Sequence, residues 1–214
     1  LHRRVDIVLA DLAAENLGLT QPARIEAFEA GVKLNTDAVD NSAGVDMSDH
    51  EVNLKILLDQ LVRKKKILRQ KRNSIIRELE KDEIQKVLSH NISNNLAVAL
   101  DERRVPAHFL YFRSLIRMLN REGIISREAD SIPFEADLDR IEKESKKLPG
   151  PVLCSLLGFT KLFLKREFLK SGGFHGPVFE EFLLGYFPAK LTEQFGPEAR
   201  KHPLRREIII TETV

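Results

Sequence analysis

Apolar residues recur at the spacing of a helix face along most of this chain. The clearest stripe has leucines at three- and four-residue steps: Leu54, Leu57, Leu58 and Leu61. The same periodicity predicts further helices over residues 73–100, 109–119, 137–148, 179–186, 190–195 and 204–211, with Gly123 ending one of them. Residues 152–169 are apolar nearly all round, and we expect them to form the central helix of a helical domain.

The first forty residues mix strand-like and helix-like patterns. Residues 5–10 form a short apolar run typical of a buried strand, and residues 32–39 predict a second extended segment. Between them, Thr20 is a suitable cap for a helix over residues 24–30, and Gly31 is a suitable end. A strand–helix–strand order indicates the edge of an α/β domain. The predicted fold class is therefore mainly α, with a short α/β segment ahead of a helical domain.

Composition narrows the class of protein. Of the 214 residues, 43% are hydrophobic and 31% are charged, which is typical of a globular protein and not of a disordered one. The formal net charge of +2 predicts no nucleic-acid or membrane partner. The most apolar run, residues 151–164, is too short to cross a bilayer. The single cysteine, Cys154, excludes a disulfide within the chain and suits a reducing cytoplasm.

Residues 41–48 (NSAGVDMS) are the strongest candidate for a ligand site. Gly44 lets a ligand approach the backbone because it has no Cβ. Ser48 and Glu51 have the spacing of a capping box, which predicts a helix beginning at Ser48. The N–H groups at such a helix start favour an anion such as a carboxylate. The structural alternative stays open, since Ser48 can be spent on capping and the carboxylate of Asp46 would repel an anion.

Five stretches of sequence carry a family resemblance. The longest is residues 35–58, NTDAVDNSAGVDMSDHEVNLKILL. It is flanked by residues 16–21 (NLGLTQ) and 24–26 (RIE), and later by residues 186–188 (YFP) and 204–209 (LRREII). Together these stretches resemble the large bacterial NAD-specific glutamate dehydrogenases. They bracket most of the chain, and a block as long as 35–58 is far more specific than a short motif.

The resemblance implies a reaction and a set of roles. The reaction is oxidative deamination of L-glutamate to 2-oxoglutarate and ammonia, with NAD as cofactor. Ser48 would hydrogen-bond the side-chain carboxylate of glutamate, by similarity to the NAGGV…S stretch of the shorter hexameric glutamate dehydrogenases. Asn41 and Asn16 would position the nicotinamide-ribose end of NAD, beside Gly44. Residues 14–15 are Ala-Glu, where the family has glycines.

The resemblance also implies a place within a longer enzyme. Residues 1–58 would be the end of a dinucleotide-binding (Rossmann-like) catalytic domain, and residues 59–214 a helical C-terminal domain. The chain holds no G-x-G-x-x-G fingerprint, and the lysines and aspartate that the family uses for chemistry lie in a region that it lacks. We therefore expect no catalytic residue in this chain and no activity from it alone. The expected partners are an upstream catalytic domain and further copies in a cytoplasmic homo-oligomer.

Two other classes of function remain as alternatives. A helical interaction or regulatory module without chemistry would fit the altered residues 14–15. Residues 63–72 (RKKKILRQKR) are the densest basic run. We interpret them as a solvated helix face with Ile67 and Leu68 packed inward, and a nucleic-acid site as the weaker reading.

The chemistry of the remaining residues predicts no further site. Asp46 and His50 are four residues apart and could share a helix face, as a metal pair would. No third ligand is near them in sequence, and the other histidines, including His90, are scattered, so no metal site is predicted. Cys154 lies in an apolar stretch, and we expect it to be buried and unreactive.

Overall fold

The computed structural model describes residues 18–174 and 176–214 of the chain. Within these residues all regular secondary structure is helical, which confirms the prediction of a mainly α fold. The helices in chain order are α1 (Gln21–Glu29), α2 (Asp37–Asp40), α3 (Ser42–Arg63), α4 (Arg69–Arg121), α5 (Glu135–Glu144), α6 (Gly150–Ser171), α7 (Pro177–Tyr186), α8 (Ala189–Ala199) and α9 (Arg205–Thr213).

Local signals set the ends of two helices as the sequence predicts. The Thr20 hydroxyl caps α1 by accepting a hydrogen bond from the Ala23 N–H at 3.4 Å, and Pro22 lies in the first turn. Gly31 follows α1 with a φ of +92°, and Gly123 follows α4 with a φ of +64°. Glycine adopts this left-handed conformation with little strain, so both predicted ends are confirmed.

The predicted strands are not part of the described structure. Residues 32–36 are irregular, and the rest of the predicted segment 32–39 enters α2, so an extended strand there is wrong. Helix α2 satisfies its own backbone groups, since the N–H groups of Asp40 and Asn41 bond the carbonyls of Thr36 and Asp37. The other predicted strand, residues 5–10, lies outside the described residues.

The chain forms two compact units, each built from two stretches of sequence. Unit 1 contains the described residues 18–42 and Asn91–Phe163, and unit 2 contains Ala43–His90 and Leu164–Val214. The apolar core of unit 1 includes Val98, Val105, Phe109, Ile116, Leu119, Leu138, Val152 and Leu153. That of unit 2 includes Leu54, Leu57, Leu58, Leu61, Leu79, Leu183, Leu191 and Ile209. The leucine stripe predicted from residue 54 onward is therefore a true core face.

Helix α4 consists of two helical stretches that meet at a break, as the two separate predicted stretches indicate. The two predicted stretches, 73–100 and 109–119, lie in one 53-residue element that contains Pro106 and is broken by non-helical backbone angles at His108 (φ −127°, ψ 28°). The break lies two residues after Pro106. Residues up to His90 belong to unit 2, and residues from Asn91 onward belong to unit 1.

A network of arginines and carboxylates links α4 to α5 in unit 1. The Arg113 guanidinium donates hydrogen bonds to Glu135 at 2.8 Å, to Asp139 at 2.7 Å and to Glu142 at 3.1 Å. Arg117 and Arg127 both reach Glu135 at 2.6 Å. These donors, that of Arg117 foremost, hold the pKa of the Glu135 carboxyl far below its usual range. Shared ion pairs thus attach the charged helix α5 to α4.

The start of α6 packs too closely on another backbone segment of unit 1 to admit a side chain at Gly150. A Cβ added to Gly150 would lie 2.9 Å from the Leu34 carbonyl oxygen, so only glycine fits without a shift of backbone. The residues that follow, Val152 to Leu156, are mostly buried. Farther along, Leu162 is 58% exposed, so the expected burial all round this helix holds only for its first turns. Across the described part of the chain, no helix combines the length and apolarity needed to cross a bilayer.

Candidate functional site

The predicted ligand segment lies at the start of a longer helix than expected. Helix α3 begins at Ser42, so Ser48 is in its second turn and is exposed, and the prediction of a capping box at Ser48 is wrong. The N–H groups that lack a helical partner fall instead in the first turn, which includes Gly44. The positive end of the α3 dipole is therefore near Gly44, about one turn before Ser48.

A distant asparagine explains the earlier helix start. The Asn91 side-chain amide donates to the Val39 carbonyl oxygen at 2.9 Å and to the Ser42 hydroxyl at 2.8 Å. These bonds hold the residues on either side of Asn41 from a position 49 residues farther along the chain. A local capping pattern contains no information about such a contact, which is why the sequence placed the start six residues too late.

The structure brings together only some of the predicted site residues. Gly44 and Ser48 are four residues apart in α3, so they share one helix face, and both are exposed. Asn41 is also exposed and is the residue at the end of α2, where its N–H bonds the Asp37 carbonyl at 2.8 Å. Asn41 belongs to unit 1, whereas Gly44 and Ser48 belong to unit 2. Asn16 lies outside the described residues.

A cluster of polar side chains fills the space between α3, α4 and α7 in unit 2. We call it the polar cluster, and its members are Asp46, Asp49, His50, Asn53, Glu83, His90 and Tyr186. His50, Asn53 and Glu83 are 1%, 4% and 5% exposed, an unusual burial for such groups. Residues 46, 50 and 53 follow the period of one helix face, as do residues 83 and 90.

His50 is at the centre of the polar cluster. Its Nδ1 lies 3.1 Å from Glu83 Oε2, and its Nε2 lies 3.6 Å from Asp46 Oδ1. Neither ring nitrogen has a hydrogen-bond partner. The other Asp46 oxygen, Oδ2, is hydrogen-bonded to His90 Nδ1 at 2.8 Å. One ligand atom from each of Asp46, His50 and His90 can be chosen so that all three lie within 4.8 Å of one another.

Tyr186 closes one side of the polar cluster. Its ring stacks on the His50 imidazole, with centroids 4.2 Å apart and planes 9° from parallel. Its hydroxyl donates to Asp49 Oδ2 at 2.8 Å and accepts from the Asn53 amide at 2.9 Å. Burial, and to a lesser degree the bond to Asp49, raises the pKa of the Tyr186 hydroxyl well above its usual value. The hydroxyl therefore stays protonated and acts as a fixed hydrogen-bond donor.

His202 supports the same helix from a second direction. Its Nε2–H donates to the Asn53 carbonyl oxygen at 3.1 Å, and its Nδ1 accepts from the Leu204 N–H at 3.1 Å. Burial lowers the pKa of this imidazole, which fits a neutral ring whose two nitrogens are already used. His202 is thus a structural residue, 2% exposed.

Sequence reasoning missed most of the polar cluster. His90 was interpreted as one of several scattered histidines, and that interpretation is wrong because His90 contacts Asp46 across 44 residues of sequence. Glu83 carries no prediction from sequence, and Tyr186 enters only through the YFP stretch of the family resemblance. The available signal was the seven-residue spacing of Glu83 and His90, which places two polar groups on the same helix face as the buried Val87.

The basic run and Cys154 are structural features. Residues 63–72 are not one helix face, because α3 ends at Arg63 and α4 begins at Arg69. Ile67 packs on the core as predicted, but Leu68 is 76% exposed, so its predicted inward packing is wrong. Arg72 is paired with Asp59 at 2.9 Å. Cys154 is 3% exposed, as predicted, and burial raises the pKa of its thiol, which keeps the thiol protonated.

Comparison with known proteins places the two ends of the chain in one family of enzymes. A family model described as the catalytic domain of bacterial NAD-glutamate dehydrogenase matches residues 5–101. A second, the C-terminal region of glutamate dehydrogenase, matches residues 145–214. The catalytic-domain match continues past residue 58, where the sequence predicted a domain boundary.

Curated relatives give the same result. The NAD-specific glutamate dehydrogenase of Mycobacterium tuberculosis is 37% identical over 196 residues, which are 92% of this chain and 12% of that protein. The enzymes of the same name from Halomonas elongata and Pseudomonas aeruginosa are each 34% identical over 197 residues, with the same coverage. The chain therefore spans about 12% of the length of these relatives. The matches favour a portion of such an enzyme over a non-catalytic helical module.

Proposed function

Because the chain belongs to the family of large bacterial NAD-specific glutamate dehydrogenases, we propose that it is the C-terminal portion of an NAD-dependent glutamate dehydrogenase. The reaction is oxidative deamination of L-glutamate to 2-oxoglutarate and ammonia in the cytoplasm. The observation that carries the proposal is that the catalytic-domain and C-terminal family models match successive parts of one chain. By the same proposal, residues 1–58 belong to the end of the Rossmann-like catalytic domain, and residues 59–214 form a helical C-terminal domain that includes the rest of the catalytic-domain match, up to residue 101.

Ser48 is the proposed contact to the substrate. Its hydroxyl is exposed on the second turn of α3 and is free to donate a hydrogen bond to the side-chain carboxylate of glutamate. A hydrogen bond to a charged group both strengthens binding and orients the Cα–H bond, and orientation accounts for much of the rate in such reactions.

Gly44, Asn41 and Asn16 are the proposed contacts to the cofactor. NAD supplies the acceptor for the hydride that leaves the substrate Cα. The exposed backbone of Gly44 admits close approach, and the exposed carboxamide of Asn41 offers both a donor and an acceptor. These groups suit the nicotinamide-ribose end, whose amide and hydroxyl groups need both donors and acceptors. The residues for the pyrophosphate belong, by the same proposal, to the upstream domain.

The proposed protein partners are an upstream catalytic domain of the same polypeptide and further copies of the protein in a homo-oligomer. Helix α4 in unit 1 exposes Ile92, Leu96 and Leu100, which are four residues apart and so share one face. A stripe of exposed apolar side chains is typical of a surface that another protein covers.

The 214-residue chain by itself is expected to form no NADH from glutamate and NAD. It holds no G-x-G-x-x-G fingerprint, so the cofactor would lack a pyrophosphate site. The measurement is NADH absorbance with glutamate and NAD, with the parent polypeptide as the positive control. Turnover by the isolated chain at a rate similar to that of the parent would contradict the assignment as a portion of the enzyme.

Ser48→Ala in the parent polypeptide is expected to raise the KM for glutamate by about 10- to 100-fold, the equivalent of one hydrogen bond to a charged group. The KM for NAD should change little, because Ser48 contacts only the substrate. Ser93→Ala removes another exposed helical hydroxyl and is the matched control. An unchanged KM for glutamate in Ser48→Ala would remove Ser48 from the site. A parent polypeptide without glutamate-dependent NADH formation would overturn the enzyme proposal itself.

A further inference from the structure

We propose that Asp46, His50 and His90 bind a divalent transition-metal ion of the zinc class. The proposal stands apart from glutamate oxidation, since no step of that reaction requires a metal. Asp46 and His50 lie one turn apart in α3, and His90 reaches them from α4, all within unit 2. Two imidazoles and one carboxylate form a ligand set that zinc uses in proteins, with further positions left to water.

The distances suit such an ion after small side-chain movements. One ligand atom from each residue lies within 4.8 Å of the other two. His50 Nε2 and Asp46 Oδ1 are 3.6 Å apart, close to the separation of about 3.3 Å that two ligands at roughly 2.0 Å have around a tetrahedral ion. Asp46 and His90 are 27% and 35% exposed, which gives the ion a path from solvent and room for a water ligand.

Independent support comes from the buried histidine itself. His50 is 1% exposed, and neither of its ring nitrogens has a hydrogen-bond partner. A buried polar group without a partner costs about 1–3 kcal/mol, so such groups call for an explanation. An ion bound by Nε2 satisfies that nitrogen. The neighbouring Glu83 carboxylate, whose oxygens are also unpartnered, would then accept the Nδ1–H bond.

This arrangement matches the way proteins orient a metal-binding histidine. Glu83 Oε2 lies 3.1 Å from His50 Nδ1, so a small rotation of the ring would let Glu83 accept the Nδ1–H bond and favour the tautomer that leaves Nε2 free for the metal. The Tyr186 ring, stacked 4.2 Å from the imidazole, restricts its rotation. A carboxylate, a histidine and a metal in series is a common arrangement in metal sites.

The charge of the polar cluster also favours a cation. Asp46 and Glu83 place two carboxylates around a buried imidazole, and buried anionic groups need a compensating charge. The positive charge of Lys86 offsets part of this negative charge. Its amine donates to the Gly185 carbonyl oxygen and lies 5.2 Å from the Tyr186 ring centroid. The alternative to a metal is an imidazolium shared by the two carboxylates, and the experiment separates the two.

The experiment is a Co²⁺ titration of the full 214-residue chain, freed of any affinity tag, followed by displacement with Zn²⁺. The wild-type chain should develop the visible absorption of Co²⁺ in a low-symmetry nitrogen and oxygen site, saturating at one ion per chain, and Zn²⁺ should abolish it. His90→Gln should weaken Co²⁺ binding by more than 100-fold, and Glu83→Gln, which loses only the orienting group, by about 10- to 100-fold.

One control variant completes the test. His108→Gln replaces an exposed histidine outside the polar cluster and should bind Co²⁺ as the wild type does. Circular dichroism checks that each variant is folded. A change at the buried His50 could unfold the chain, so the test uses His90, which is 35% exposed. Co²⁺ binding that is equally strong in His90→Gln, or absent from the wild type at millimolar ion, would overturn the proposal and leave the shared imidazolium.

Discussion

Replacing Arg24 by methionine is expected to lower the free energy of unfolding of unit 1 by about 3 kcal/mol. Arg24 is 2% exposed, yet it is charged. Its guanidinium donates to the Asn35 carbonyl oxygen at 2.7 Å and forms an ion pair with Asp37. Methionine keeps the apolar stem of the side chain but removes both interactions, so the Asn35 carbonyl and the Asp37 carboxylate lose this donor.

The loss of stability in Arg24→Met should be largest around α1 and α2. Breaking a buried pair by removing one partner is costly because the other charge stays behind, although Asp37 is 20% exposed and can be partly hydrated. Hydrogen exchange under native conditions should therefore show faster exchange at residues 20–40 than in unit 2. Because α2 leads directly to Asn41, the same change should also weaken NAD binding in the parent polypeptide.

Arg104→Met is the matched control in unit 1. Arg104 is 63% exposed and lies 3.9 Å from Asp101. Replacing it should therefore lower the free energy of unfolding by less than about 1 kcal/mol. Urea unfolding followed by circular dichroism compares the two variants. Equal stability of Arg24→Met and Arg104→Met would show that the Arg24 pair contributes no more than a surface ion pair.

Replacing Leu61 by alanine is expected to lower the free energy of unfolding of unit 2 by about 2–5 kcal/mol. Leu61 is fully buried in α3, and its side chain belongs to the same core as Leu54, Leu57 and Leu58. The cost combines the lost transfer of three carbon atoms from water with the cavity that a close-packed core leaves behind. Helix α3 also carries Ser48 and the polar cluster, so both should lose their rigid support.

Leu68→Ala provides the comparison for this change. It removes the same atoms from a side chain that is 76% exposed, between α3 and α4, and should alter stability by less than about 0.5 kcal/mol. Thermal and urea unfolding measure the stability of both variants. Similar losses for Leu61→Ala and Leu68→Ala would mean that the leucine stripe of α3 is not the core face that the structure shows.

Patterns within a few residues predicted much of the helical architecture. Thr20 and Gly31 mark the two ends of α1, and Gly123 marks the end of α4, because a cap or a left-handed residue acts on its immediate neighbours. The spacing of Leu54 to Leu61 identified a buried face, since periodicity depends only on helix geometry. The family was also recognisable from sequence, because residues 35–58 form one continuous block.

The errors arose where a distant residue overrides a local preference. Ser48 and Glu51 fit a capping box, but α3 begins at Ser42, where the Asn91 amide bonds the hydroxyl and the preceding turn. Residues 32–39 have an extended pattern, yet the segment has no neighbouring strand among the described residues and ends in α2. Strand formation needs a pairing partner, which a single segment cannot reveal.

The sequence by itself determined the helical class, several helix ends, the leucine core face and the family, because each depends on short-range geometry or on a contiguous block of residues. Only the tertiary structure decided where α3 begins and which polar side chains meet. His90 reaches Asp46 across 44 residues, and Tyr186 reaches Asp49 across 137. Burial turns ordinary polar residues into a coupled group, and burial depends on the packing of whole helices.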